Sequence, residues 1–201
     1  KMAGAHTDSP TFRIKPDSEM VQDGFLKLNV ETYGGPILST WFDRPLSLAG
    51  RVLLKGENAL KPMTRLVDFE KPILYIPSLA IHMNRKVNEG VEIHKQKHVL
   101  PVMTMVPSDF NKNGFIKGLV AEQLKVGTDD ILDFDLFVYE ADKGCLVGLE
   151  EEFISSKRQD NLSSVHAIYK AMLEAKEFSG VHIGAFFDNE ECGSASKQGA
   201  D

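Results

Sequence analysis

The chain has 201 residues, 42% of them hydrophobic and 26% charged, which is typical of a globular protein with one large or two small domains. A formal net charge of -6 gives no basic surface for nucleic acid, and no apolar run approaches the ~18 residues of a membrane-spanning helix. The cysteines, Cys145 and Cys192, fit no zinc-finger or disulfide-framework spacing, so we expect a reducing, cytoplasmic location.

The first motif, Ala5-His6-Thr7-Asp8-Ser9-Pro10, follows a short strand predicted over residues 2–5. A metal-binding imidazole needs an acceptor for its second ring nitrogen, and Asp8 is placed to serve His6 in this way. A turn whose polar side chains bond to the local backbone explains the same residues. Taken alone, the motif favours the turn.

A long β-rich section comes next. Leu26, Leu28 and Val30 alternate with polar residues, which predicts a strand with one buried and one solvent-exposed face. A turn is predicted over residues 33–36, and further strands over residues 46–55, 63–69, 73–76, 98–106 and 132–138.

Two helices interrupt these strands. Pro77-Ser78 predicts a helix start, with residues 79–83 as its first turns. Apolar residues at helical spacing predict a second helix over residues 115–126, closed by Gly127.

The pattern changes near Phe153. A helix is predicted from the apolar stripe Leu162, Val165, Ile168, Tyr169, Met172 and Leu173, which would pack one face on a sheet. A strand buried on both faces is predicted over residues 181–187. A strand before the helix, the helix and this buried strand together indicate a βαβ unit with a parallel neighbour, which would put Asp160 and the Glu190–Glu191 pair at the same edge of the sheet. Asp160, just before the helix, is either an N-cap or a site carboxylate.

Four acidic or amide residues, Asp188 to Glu191, follow this strand at once. The carboxyl ends of strands are where α/β sheets hold their ligands. Glu190 and Glu191 repel each other unless a cation or proton neutralises them, so a metal site competes with a simple acidic loop. One glutamate would then bind the metal while the other stays free as a base.

The three signals together point to one kind of chemistry. His6, Asp160 and the Glu190–Glu191 pair supply an imidazole, a carboxylate able to bridge, a terminal carboxylate ligand and a free base. These are the parts of a two-metal hydrolase, whose ions lie about 3.5–4 Å apart. The ligand types suit zinc, and also cobalt or manganese.

The chain also resembles a known family, the aspartyl aminopeptidases, which are dinuclear zinc peptidases. The matching stretches occur in the family's order: residues 5–10, Glu31-Thr32-Tyr33-Gly34-Gly35, residues 39–44, 48–52, 72–74 and 79–82, Asp160-Asn161-Leu162, and residues 188–191 with Gly193-Ser194. The resemblance implies an α/β fold. A parallel-sheet catalytic domain, residues 1–10 and 151–201, would be incomplete at both ends. A β-rich oligomerisation domain, residues 11–150, would be inserted in it.

The same resemblance implies a role for each site residue. His6 would bind one zinc ion with Asp8 orienting its ring, Asp160 would bridge both ions, and Glu191 would bind the other. Glu190 would be the general base. Each subunit would then hold two zinc ions, with two further ligands, an Asp and a His, outside this chain.

His82 would act differently, reaching a neighbouring subunit's active site to stabilise the oxyanion. The implied assembly is a homododecamer built from dimers, and the implied substrates are peptides with N-terminal, acidic residues. Cys192 departs from the family, which has an aliphatic residue there. Because the resemblance places an Asp and a His ligand outside this chain, we expect a piece of a larger enzyme that is inactive alone.

Two other functions stay open. A zinc-dependent deacylase would use the same metal pair on a different amide, and only a substrate panel separates it from a peptidase. A non-catalytic assembly module would keep residues 11–150 for self-association and the acidic loop as a remnant.

Overall fold

The computed structural model describes residues 1–176 and 179–193, and the chain forms two compact units. The α/β unit contains Lys1–Pro10, Tyr33–Pro36 and Lys143–Asp201, and the β-rich unit contains Thr11–Thr32 and Ile37–Asp142. Residues 33–36 and 143–150, which the sequence analysis assigned to the inserted domain, group here with the α/β unit.

The elements are, in chain order, the strands β1 (Met2–His6), β2 (Thr11–Gln22), β3 (Phe25–Tyr33), β4 (Leu46–Asn58), β5 (Lys61–Asp68), β6 (Val102–Met105), β7 (Ile131–Glu140), β8 (Cys145–Val147), β9 (Phe153–Ser155) and β10 (Ile183–Phe187), and the helices α1 (Phe115–Leu124) and α2 (Gln159–Glu174). Short 3-10 turns cover Leu38–Trp41, Val87–Glu89 and Thr128–Asp130.

In the α/β unit, β1 and β10 pair in parallel, with His6 opposite Phe187. Because both strands run in the same direction, the residues that follow them emerge at the same edge. The β8–β9 pair is antiparallel and forms a separate sheet.

Helix α2 packs on the β1–β10 pair, as its apolar stripe predicts. The helix comes so close to β10 that a Cβ atom on Gly184 would lie 3.3 Å from Ile168 Cγ2. At its start, Asp160 and Asn161 have non-helical backbone angles and are joined by a cis peptide bond. The regular helix therefore begins only after Asn161.

The β-rich unit is built on a six-stranded sheet with the order β5-β4-β7-β2-β3-β6. Its core holds large side chains that are fully buried, among them Phe12, Leu28, Leu48 and Leu136. The alternation predicted around Leu28 is confirmed, because its two apolar neighbours in the pattern are equally buried.

Helix α1 is capped from a distant strand. Glu19 of β2, itself buried, accepts a hydrogen bond from the Ile116 amide through Oε1 at 2.9 Å. This contact satisfies one of the amide groups that every helix N-terminus leaves unpaired. The helix ends at Leu124, with Lys125 in the left-handed conformation, and not at Gly127 as predicted.

Three further predictions are wrong. Residues 77–80 have no regular secondary structure and residues 81–83 form a turn, so the predicted helix is absent here. The strand before α2, β9, pairs with β8 and not with β10, so the parallel partner of β10 is β1. Strand β10 is not buried on both faces, because Ile183 and Phe186 are 49% and 42% exposed.

Within residues 1–176 and 179–193, no helix is both long enough and apolar enough to cross a membrane.

Candidate metal centre

His6 is the buried centre of the candidate site. It is the last residue of β1, and its side chain is only 9% exposed. Its Nε2 atom lies 3.1 Å from Asp160 Oδ1 and 3.9 Å from Glu190 Oε2. Its Nδ1 atom lies 3.1 Å from the Asp8 carbonyl oxygen and 3.4 Å from Asp8 Oδ1. Nδ1 is therefore held by Asp8, and Nε2 faces the other carboxylates.

Asp8 fixes the loop that carries the glutamates. Its carboxylate, 6% exposed, accepts hydrogen bonds from the Glu190 amide at 3.2 Å and from the Glu191 amide at 3.0 Å. The Tyr33 hydroxyl donates to the same carboxylate at 2.8 Å. Asp8 thus connects the residues after β10 to the end of β1. The sequence predicted only its contact with the His6 ring and not these bonds to the glutamate loop.

The donor atoms converge as a metal site requires. One side-chain ligand atom each of His6, Glu190 and Glu191 lies within 4.8 Å of the others. Zinc prefers nitrogen and oxygen donors of this kind, so the residues present fit the metal that the sequence predicts. The geometry brings both glutamates to His6, and the division into one ligand and one base stays a prediction.

Asp160 completes the cluster from the start of α2. Its side chain contacts the His6 ring and is otherwise open to solvent, with 87% of its surface exposed. The Ser9 hydroxyl donates to the Asp160 backbone carbonyl at 3.4 Å. An exposed carboxylate that contacts a buried imidazole through one oxygen keeps the other oxygen available for a further ligand. This arrangement is compatible with the predicted bridging role.

The acidic surroundings change two pKa values. Burial, the largest effect on His6, lowers the pKa of its ring, but the bonds to Asp8 and Asp160 and the nearby negative charges outweigh it, so the pKa is raised. Burial raises the pKa of the Glu191 carboxyl, and the charges of Asp8, Glu190 and Asp160 add to this against the opposing effect of His6. Both shifts arise because several carboxylates share a partly buried site, where a bound cation would stabilise them.

The other predicted residues lie elsewhere or outside the described part. His82 sits on an exposed turn of the β-rich unit. Cys192 directly follows Glu191, is exposed, forms no disulfide and has its thiol within hydrogen-bonding reach of Tyr33. Ser194, the last residue of the matching stretches, lies outside the described residues.

Sequence analysis missed Tyr33 as a site residue and assigned it only to a turn. Its hydroxyl is 2.8 Å from Asp8 Oδ2, yet 25 positions separate the two residues in the chain. The available signal was the Glu31–Gly35 stretch, one of those that match the aspartyl aminopeptidases.

Comparison with known proteins identifies the family. The model of the family described as aminopeptidase I zinc metalloprotease (M18) matches residues 1–201. A probable M18 family aminopeptidase 2 of Clostridium acetobutylicum is 54% identical over the whole chain, and one of Azotobacter vinelandii is 42% identical. The chain spans about half of each relative, 47% of its length.

Solved structures agree with this result. The chain matches, with a TM-score of 0.91 and 34% identity, a chain of the cryo-EM structure of the Ape4 and Nbr1 complex, covering 99% of this chain and 42% of the other. It matches mApe1 of Chaetomium thermophilum with a TM-score of 0.85 and 31% identity, covering 98% of this chain and 47% of the other. The predicted fold class, a partial α/β peptidase domain with a β-rich insertion, is confirmed. The chain belongs to the M18 family of zinc metallo-aminopeptidases.

Proposed function

We propose that the complete polypeptide carrying this chain is a dinuclear zinc aminopeptidase that removes N-terminal residues, acidic ones above all, from peptides. The observation that carries this proposal is the convergence of His6, Glu190 and Glu191 within 4.8 Å, with Asp160 against the same imidazole. The family match supports the zinc and the aminopeptidase class. The preference for acidic residues rests on the likeness to the aspartyl aminopeptidases.

His6, Asp160 and Glu191 would hold the metal, with Asp160 shared between two ions. Bound zinc polarises a carbonyl and lowers the pKa of water to about 7. The chain's own contribution is to fix these ligands before the substrate arrives. Asp8 does so by holding the His6 ring and the backbone of the glutamate loop together.

Glu190 would move the proton. Its carboxylate is 36% exposed and reaches to 3.9 Å from His6 Nε2, so it faces the metal ligands and solvent at once. A carboxylate in this position can accept a proton from the attacking water and deliver it to the leaving amine.

Assembly is part of the proposal. The structure of mApe1 from S. cerevisiae, 26% identical to this chain, is described as a dodecamer. By this likeness, the complete protein would form homododecamers built from dimers, with His82 contributed to a neighbouring subunit's site. The cytoplasm remains the predicted location.

A substrate panel tests the function. The complete polypeptide is stripped of metal, reloaded with zinc, and assayed on peptides that differ only in the first residue: Asp, Glu, Ala or Leu. N-acetylated forms of the same peptides and acyl amino acids serve as controls. We expect activity that is lost on stripping and restored by zinc, with Asp and Glu peptides cleaved fastest.

Cleavage of the acyl amino acids alone would show a deacylase. No hydrolysis of any peptide by the zinc-loaded, assembled protein would contradict the proposed function altogether.

A further inference from the structure

The last residue of β3 and the turn that follows it group with the metal ligands and not with the β-rich unit. Tyr33–Pro36 belongs to the α/β unit, while the residues on both sides of it in the chain belong to the β-rich unit. An excursion of four residues is too short to build a core of its own. Its contacts with the site are therefore the feature that needs an explanation.

Tyr33 makes a short polar contact with Asp8. Its hydroxyl donates to Asp8 Oδ2 at 2.8 Å, and Asn189 Oδ1 and the Asp188 carbonyl lie at 3.3 and 3.4 Å. A phenol has a single proton, and the nearest charged acceptor holds it most strongly. The contacts with residues 188 and 189 place the ring directly beside the loop that leads to the glutamates.

Asp8 in turn contacts the residues that would hold the metal. The carboxylate that Tyr33 holds also accepts the amides of Glu190 and Glu191, and it lies 3.4 Å from the His6 ring. A single hydroxyl thus restrains a group that touches both strand ends of the candidate site. A group such as Asp8, which contacts a metal ligand directly, fixes the orientation of that ligand and is worth about 10–100-fold in metal affinity or activity, and this range is the upper bound for Tyr33, which acts through it.

Gly34 gives an independent indication. Its backbone is in the left-handed region, with φ at 68°. A Cβ atom here would lie 3.0 Å from Glu191 Cβ and 3.2 Å from the Glu191 carbonyl oxygen. Only glycine allows the turn to lie against Glu191 without moving it.

We propose that Tyr33 and Gly34 are positioning residues of the metal centre, with Tyr33 acting through Asp8 and Gly34 setting the place of Glu191. This inference rests on the proposed function for its metal and goes beyond it, because it assigns metal affinity to a turn that contributes no ligand. The turn stabilises the ligand arrangement before the metal binds.

The test compares Tyr33→Phe and Gly34→Ala with Tyr139→Phe in the complete polypeptide. Tyr139 is a matched control, since its hydroxyl also donates to an aspartate, Asp68, but within the β-rich unit. The zinc dissociation constant is measured by chelator competition, kcat is measured at limiting and saturating zinc, and thermal unfolding is followed without zinc.

We expect Tyr33→Phe to weaken zinc binding by up to about 10–100-fold and saturating zinc to restore most of kcat. Gly34→Ala should weaken zinc binding at least as much, and Tyr139→Phe should leave it unchanged. A wild-type dissociation constant in a folded Tyr33→Phe variant would overturn the inference, as would an equal loss in the Tyr139 control. If Tyr33→Phe fails to fold, Gly34→Ala decides by the same criterion.

The experiments distinguish failure of this inference from failure of the proposed function. Zinc binding that depends on Tyr33 in a protein without peptidase activity would keep this inference and refute the proposed function. An active zinc peptidase that is indifferent to both substitutions would do the reverse.

Discussion

The two units of the chain differ in what they bury. In the β-rich unit, side chains as large as Phe12 and Leu48 are completely inaccessible. In the described part of the α/β unit, only Ala5 and His6 are buried when whole residues are counted, and α2 has no buried residue. One unit is thus held by apolar packing, while the other is organised around a polar cluster.

The β-rich unit therefore supplies most of the apolar packing that stabilises the chain, while the α/β unit carries the candidate metal centre. Burying a large apolar side chain contributes about 1.5–3 kcal/mol, so the β-rich unit can supply its own driving force. The α/β unit leaves Phe186 42% exposed and Leu173 66% exposed. The curated relatives are about twice as long as this chain, and we expect the remainder of such a polypeptide to cover these faces.

The largest effect should come from variants that disable one unit each. His82→Ala in the β-rich unit and Glu191→Ala in the α/β unit should each lose most activity, about 10²–10³-fold for the oxyanion contact. When the two variants are co-assembled, part of the activity should return, because a mixed pair combines one intact metal site with one intact His82. His94→Ala, an exposed histidine of the same region, is the control and should stay active.

Subunit exchange must be confirmed in this experiment, for instance by native mass spectrometry of tagged chains. Confirmed mixed assemblies that show no recovery would mean that His82 acts within its own subunit or has no catalytic role.

A matched pair of leucines tests the difference in packing. In the 201-residue chain, Leu48→Ala should lower the free energy of unfolding by about 2–5 kcal/mol, since Leu48 is 0% exposed. Leu173→Ala, at 66% exposure, should cost less than about 1 kcal/mol. Urea unfolding measures both, and equal losses would remove the distinction between the units.

The smallest effect concerns a pH-dependent contact in the β-rich unit. The Ser78 hydroxyl and amide donate to Asp43 and lower the pKa of its carboxyl, against a smaller opposing effect of burial. The stabilisation is therefore present above the usual carboxyl pKa of about 4 and is lost as the pH falls through the lowered value. Asp43→Asn should remove this pH dependence at a cost under about 1 kcal/mol at neutral pH, because the site is exposed.

Unfolding measured from pH 7 down to pH 2 checks this prediction, with Asp109→Asn as an exposed control. A stability difference between wild type and Asp43→Asn that does not shrink at low pH would show that the carboxylate charge is not involved.

The sequence predicted most where the signal was local. The alternation around Leu28 and the apolar stripe of α2 are read from neighbouring residues, and both elements form. The edge that joins His6 to the glutamates was also predictable, because polar residues follow both β1 and β10. Even so, the partner of β10 was misassigned, since the nearest strand along the chain is not the one it pairs with.

Features that depend on distant partners were not predictable. Pro77-Ser78 predicted a helix start, but the Ser78 hydroxyl and amide donate to Asp43, 35 positions away. Strand β2 went unassigned because Pro16 and Asp17 interrupt its alternation, although Phe12 and Ile14 are buried. The contact of Tyr33 with Asp8, 25 positions away, belongs to the same class, because the matching Glu31–Gly35 stretch marks Tyr33 but does not name its partner.

The measurement that tests the central claim most directly is the turnover and zinc content of Glu190→Gln in the complete polypeptide. Glu174→Gln, an exposed glutamate of the same unit, is the control. We predict that Glu190→Gln keeps its zinc and loses about 10²–10⁴-fold in kcat, because only the proton-transfer group has changed. A kcat near that of the wild type, or a loss of zinc that matches the loss of activity, would contradict the assignment of Glu190 as the general base.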